Sequence, residues 1–130
     1  MKLSNCPTLT AVDLAYLAGL FDGEGTAGMH TYSQVRGSSK RPVKKATMAV
    51  QMTDPDPVRF FALCFPGSYQ SAHLTPSAKA QGYKPVYRWQ CSARNARLVA
   101  AQLIPYCKNL TKTRQLQTVF EPTRITPSLN

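Results

Sequence analysis

The stretch Tyr16–Met29, "YLAGLFDGEGTAGM", sets two carboxylates, Asp22 and Glu24, among glycines directly behind an almost wholly apolar run. Upstream, Thr10-Ala11-Val12-Asp13 has the form of a capping box, with Thr10 as N-cap and Asp13 offering its carboxylate at the third helical position. Leu14, Leu17, Ala18 and Phe21 then recur at i, i+3, i+4 and i+7, the spacing of one helix face. Ala15 and Leu20 lie on the other side and are apolar too. A helix apolar nearly all round is buried on both sides. In a chain of 130 residues a partner subunit is the expected second cover. Behind the acids, residues from Thr26 to Tyr32 suit a strand.

Further along, "SQVRGSSKRP" reads as a turn, and "KKATMAVQMT" alternates with a period of two. Its Ala46, Met48, Val50 and Met52 are expected to meet a core, and Lys45, Thr47, Ala49 and Gln51 the open side. "DPDP" starts a helix, with Asp54 or Asp56 as N-cap, running from Pro57 to Phe65 and stopped by Pro66-Gly67. "SYQSAHL" and "KPVYRWQC" read as two more strands around a loop near Pro76–Gly82. In the second, Tyr87, Trp89 and Cys91 face the core, leaving Arg88 and Gln90 outside. Ser92 caps a helix that reaches Ile104 before Pro105, and a last helix covers Lys112–Phe120. The order α-β-β-α-β-β-α-α predicts an α+β fold with four strands and the helices on one face. The boundaries expected are a tail at 1–9, one domain at 10–120 and a tail at 121–130.

Composition agrees with a globular chain: 43% of residues are apolar, and no run approaches a membrane span. The first ten residues lack the apolar segment of a secretory signal. The four cysteines, Cys6, Cys64, Cys91 and Cys107, show no CxxC spacing, which argues against structural zinc. Cys64 and Cys91 sit in apolar stretches, as buried thiols of a reducing intracellular compartment do. Charge is more informative. Sixteen Lys and Arg oppose six Asp and Glu, for a net +10. No acid falls between Glu24 and Asp54, or between Asp56 and Glu121. Such a field favours a polyanion, most simply nucleic acid. Charge alone leaves an RNA binder or a solvated basic surface open. The open sheet face would carry His30, Tyr32, Lys45, Thr47, Gln51, His73, Arg88 and Gln90, an amide-rich basic surface suited to the DNA major groove.

Leu17–Gly25, "LAGLFDGEG", resembles the LAGLIDADG motif of homing endonucleases, with Phe21 for Ile, Gly23 for Ala and Glu24 for Asp. The element order, "YRWQCS" and "LIPYCKNLTKTRQ" extend the resemblance over residues 10–120. The single copy of the motif resembles the group that acts as homodimers. The resemblance implies an αββαββα fold with a saddle-shaped, four-stranded antiparallel sheet. It implies motif helices packed across a dimer interface, here Leu14, Leu17, Ala18, Gly19, Phe21 and Asp22. Glu24 matches the metal-ligating acid, with the Gly23 carbonyl beside it, and the metal implied is Mg²⁺, with Mn²⁺ as a substitute. Mg²⁺ is a hard cation that takes oxygen ligands, and it can stabilise an in-line displacement at phosphorus.

Asp54 falls where relatives place a polar group near the hydrolytic water, and it is equally suited to cap the next helix. Lys112 matches a lysine that polarises the water or phosphate, with Lys108 as its rival. Gln34, Ser71 and Lys84 join the sheet residues as DNA contacts, and Arg36, Lys40, Arg41, Lys44 and Lys79 are read as phosphate contacts that position the protein. The activity implied is a site-specific, intron-encoded endonuclease making staggered breaks with 3′ overhangs in a long near-palindromic site. The other readings are an intron RNA maturase and a non-catalytic DNA-binding protein on the same fold.

Overall fold

The structure is a computed structural model that describes residues 8–72 and 76–120, with Ala72 and Ala78 placed by their backbone alone. Cys6, His73 and the expected C-terminal tail lie outside the described residues, as does the N-terminal tail up to Pro7.

Helix α1 (Ala11–Glu24) begins at the expected capping box: Asp13 N–H donates to Thr10 Oγ1 at 3.1 Å, and Thr10 N–H donates to Asp13 Oδ2 at 3.0 Å. It runs straight into β1 (Gly25–Arg36), which forms a long hairpin with β2 (Ser39–Met52). The ladder extends through the segment expected to be a turn, up to Arg36 opposite Ser39. Gly37, at φ +62°, supplies the left-handed conformation that a two-residue hairpin turn needs. Pro42 fits within β2 because before Thr47 that strand pairs with β1 alone.

Helix α2 (Pro55–Cys64) starts two residues before the expected Pro57, because Asp54 is the residue that caps it: Asp56 N–H donates to Asp54 Oδ1 at 3.1 Å. Strand β3 (Ser68–Ala72), a short helix α3 (Pro76–Ala80) inside the expected loop, and β4 (Val86–Ser92) follow. Helix α4 (Ala93–Leu103), a 3₁₀ turn at Ile104–Tyr106 and α5 (Leu110–Phe120) complete the described chain. Helix α5 begins earlier than expected because Asn109 caps it, its Oδ1 accepting from Lys112 N–H at 3.2 Å.

The sheet is antiparallel in the order β1-β2-β4-β3. One face carries Met48, Val50 and Trp89 into the core, against Leu17 and Phe21 of α1, Val58 and Phe61 of α2, Val99 and Leu103 of α4, and Leu116 and Val119 of α5. Trp89 is completely buried, with its ring 4.9 Å from that of Phe61. Helices therefore cover one face and leave the other open, in an α+β arrangement. Burial of the α1 face inside its own chain changes one expectation. Leu17, Ala18 and Phe21 have no accessible surface left for a partner. The exposed residues of α1 are instead Ala11, Val12, Ala15, Tyr16, Gly19, Gly23 and Glu24, while Leu14 and Leu20 are half-buried.

Candidate functional site

The α1–β1 junction is held by three contacts from α5 and the segment before it. Lys108 N–H donates to Asp22 Oδ2 at 2.7 Å. The Lys112 ammonium donates to the Gly25 carbonyl, and Ala27 N–H donates to Gln115 Oε1 at 3.3 Å. Lys112 and Gln115, one helical turn apart, thus fasten α5 to the free edge of β1. Asp22 is half-buried and tied within its own chain, where it holds the helix end to the segment before α5. Its Oδ1 is buried with no hydrogen-bond partner among the described residues. The Cys107 thiol donates to the Ala18 carbonyl at 3.8 Å; burial first, then the nearby charge of Asp22, push its pKa up to about 12.

Gly25 is required by close approach. A Cβ there would fall 2.1 Å from a ring carbon of Phe21, so the strand can leave the helix only because no side chain stands between them. Gly19 and Gly23 differ: added Cβ atoms at both would meet nothing within 4 Å. With Ala15 they form an exposed stripe of small residues at spacing i, i+4, i+8.

Glu24, the last residue of α1, is exposed and makes no hydrogen bond or ion pair among the described residues. It opens on a hollow of about 290 Å³ that it lines with Gln51, Met52, Thr53 and Val86. Asp54 does not line this hollow, and its carboxylate is engaged as the α2 cap. The polar side chain that β2 brings beside Glu24 is Gln51. Of the two rival lysines, Lys112 points its ammonium at the α1–β1 junction, whereas Lys108 is exposed and contributes its backbone N–H. Among the described residues no three His, Cys, Asp or Glu side chains cluster to hold a metal ion. Among the described residues one chain supplies a single unpartnered carboxylate, that of Glu24, and the neighbouring Gly23 carbonyl.

The open sheet face gathers most of the polar residues read from the alternation. His30 lies opposite Lys45, Gln34 opposite Arg41, and Gly28 opposite Thr47, while Arg88 lies opposite Gln51. Lys45 sits over the Tyr32 ring, 5.0 Å from its centroid. A second hollow of about 500 Å³ on this face is lined in part by His30, Lys45, Thr47, Ser68, Arg88 and Gln90. Lys40 and Lys44, opposite Val35 and Thr31, alternate onto the reverse side of the hairpin. Arg36 is exposed beside its tip, and Lys79 and Lys84 are exposed between β3 and β4.

Ser71 does not share the open face. It lies opposite Tyr87, on the helix-bearing side, while Gln70 and Ser68 lie opposite Arg88 and Gln90. A shift of one residue exchanges the faces of a strand, and "SYQSA" has no apolar alternation that would have fixed the choice. Gln70 and Ser68 were therefore missed by sequence reasoning, and only pairing with β4 reveals them.

The architecture is the LAGLIDADG homing-endonuclease fold. One solved structure that shares it is the homing endonuclease I-CvuI, in complex with the I-CreI target in the presence of Mg, its DNA not cleaved. The TM-score is 0.60 at 14% identity, over 87% of this chain and 69% of that one. A second is the group I intron-encoded homing endonuclease I-CeuI complexed with DNA, with a TM-score of 0.53 at 14% identity. It is matched over 87% of this chain, which spans about half (54%) of its length. Comparison of the sequence with protein-family models and with curated proteins gives no match. At 14% identity the likeness shows the fold.

Proposed function

We propose that this chain is one subunit of a homodimeric, site-specific DNA endonuclease of the intron-encoded kind, with Glu24 at its cleavage centre. The observation that carries the reading is the end of α1. An unpartnered carboxylate stands there in a chain of net charge +10, on a helix whose outward stripe has nothing packed against it among the described residues. Glycine in a helix interior costs about 1 kcal/mol relative to alanine. Packing within the chain gives no reason for Gly19 or Gly23, and close approach of a second α1 does. That second copy adds a second Glu24 carboxylate to the site.

The donor set fits a hard divalent cation: the Glu24 carboxylate and the Gly23 carbonyl are both oxygen ligands, and both lie at an exposed helix end. Bound there, Mg²⁺ or Mn²⁺ would stabilise negative charge at the scissile phosphate. The residues of the chain supply the rest. Lys112 keeps a cation at the α1–β1 junction, where it can polarise a water or a phosphate oxygen. Gln51 lines the hollow beside Glu24 and gives it a polar wall. The long hairpin, with Arg36, Arg41 and Lys45, positions DNA by its phosphates. The open sheet face, free of carboxylates, lies along the groove. The fold shared with two DNA-complexed endonucleases supports the DNA partner.

The test is cleavage of a randomised duplex library with and without Mg²⁺, with Glu24→Gln alongside. Metal-dependent staggered cuts at one near-palindromic site, lost in Glu24→Gln while DNA binding persists, are the expected result. Salt-sensitive binding by the unaltered protein with no cut under any divalent metal would refute the endonuclease. Cutting at the normal rate by Glu24→Gln would remove Glu24 from the centre.

A further inference from the structure

On the open face, three side chains that alternation merely placed nearby are joined into one cluster. Arg88 Nε–H donates to Gln90 Oε1 at 2.7 Å, and Arg88 Nη1 donates to Gln51 Oε1 at 3.1 Å. A guanidinium has donors only, so each amide must turn its oxygen inward to Arg88 and its NH₂ group outward. Both glutamines are thereby oriented by the arginine, and the arginine is held from both sides.

The cluster consequently shows an outer ligand almost nothing but donors. With Nε engaged, the edge of Arg88 left for a ligand is the tip formed by its terminal nitrogens. In the major groove, guanine presents two acceptors, N7 and O6, whereas adenine presents an acceptor and a donor. A free glutamine pairs with adenine by using its oxygen and nitrogen together. Here those oxygens already face the guanidinium. The outward face therefore matches guanine and mismatches adenine, although two of its three residues are glutamines.

Position along the site also follows. Gln51 lines the hollow with Glu24, and Arg88 is its direct neighbour across the ladder. The hairpin carrying His30 and Lys45 runs away from that end. Resting on the proposed DNA-cleaving function, we propose that Arg88, held by Gln51 and Gln90, specifies a guanine at one inner position of each half-site, beside the cleavage centre. Gln51 and Gln90 act there as positioning residues and do not read adenine.

The experiment selects duplexes from a randomised pool with the full-length protein in the absence of divalent metal. Single-position variants of the selected duplex are then titrated at fixed salt. The expected site carries guanine at one inner position per half-site, and replacing it with adenine weakens binding by about 5- to 150-fold. Arg88→Ala removes that discrimination and leaves the other positions unchanged. The volume-conserving pair Gln51→Met with Gln90→Met keeps the fold and lowers the preference for guanine without abolishing it. An adenine at the Arg88-dependent position overturns the proposal. So does uniform weakening of all duplexes by Arg88→Ala, or an unchanged preference in the double methionine variant. Salt-dependent binding with no selected sequence overturns the proposal and leaves DNA binding standing; absence of binding to any duplex overturns both.

Discussion

Replacing Gly25 with alanine tests how the acidic end is built, independently of any substrate. The new Cβ would lie 2.1, 2.4 and 2.5 Å from three ring carbons of Phe21. Carbon atoms pack at about 3.5–4.0 Å, so the ring or the strand must shift by more than an ångström. Phe21 has no exposed surface and is surrounded by the core, so no direction is open to it. Moving the strand instead disturbs the Gly25 N–H bond to the Phe21 carbonyl and the Lys112 bond to the Gly25 carbonyl. Overpacking of this kind costs about 1–3 kcal/mol. The smaller conformational freedom of alanine in the unfolded chain returns about 0.4–1 kcal/mol. We expect a net loss of about 1–2 kcal/mol, read as a lower denaturation midpoint with unchanged slope at one fixed protein concentration. Phe21→Leu should relieve the clash. The two substitutions together should then cost less than their sum, by about 0.5–3 kcal/mol. Strict additivity, or a Gly25→Ala variant within about 0.5 kcal/mol of the parent, would refute this account of the helix–strand junction.

Substitutions at Gly19, at Lys112 and at the two cysteines Cys91 and Cys107 probe other parts of the molecule. Gly19→Leu has open space within its own chain, so the circular dichroism spectrum should be retained while light scattering shows a monomer; an unchanged dimer mass would remove the α1 stripe as the interface. Lys112→Met should lower stability by about 1–3 kcal/mol through the abandoned Gly25 carbonyl and should depress cleavage beyond what the stability loss explains. Lys112→Arg should restore stability more than cleavage, and equal recovery of both would make Lys112 a clamp only. Burial raises the Cys91 and Cys107 thiols to about 12 from an ordinary 9.0, so the unfolded chain loses these protons first as pH rises. Their contribution to stability is present in full below pH 9 and is lost as pH climbs toward 12. Replacing both with alanine should flatten that decline, as followed by denaturation at several alkaline pH values, and an unchanged pH profile would contradict it.

The features legible in the order of residues are local or periodic. The Thr10–Asp13 capping box, the Asp54 cap and the alternation from Lys45 to Met52 each depend on neighbours a few residues away. They were legible for that reason. So was the assignment of Trp89 and Cys91 to the core and of Arg88 and Gln90 to the open face, because a period of two leaves one choice of face once an aromatic marks it.

Tertiary structure decided whatever depends on a partner far along the chain. On a helix apolar all round, periodicity could not say which side its own core would take; packing took Leu17, Ala18 and Phe21 and left Ala15, Gly19 and Gly23 outside. Pairing with β4 put Gln70, not Ser71, on the open face, since nothing within "SYQSA" favours either. Lys112 was separated from Lys108 only when α5 closed on the edge of β1, a contact between residues 87 positions apart. The Gln51–Arg88–Gln90 cluster likewise joins two strands that only the sheet brings side by side. Sequence period specifies which side chains share a face. Which of them touch, and therefore what chemistry they can perform together, is set by long-range packing.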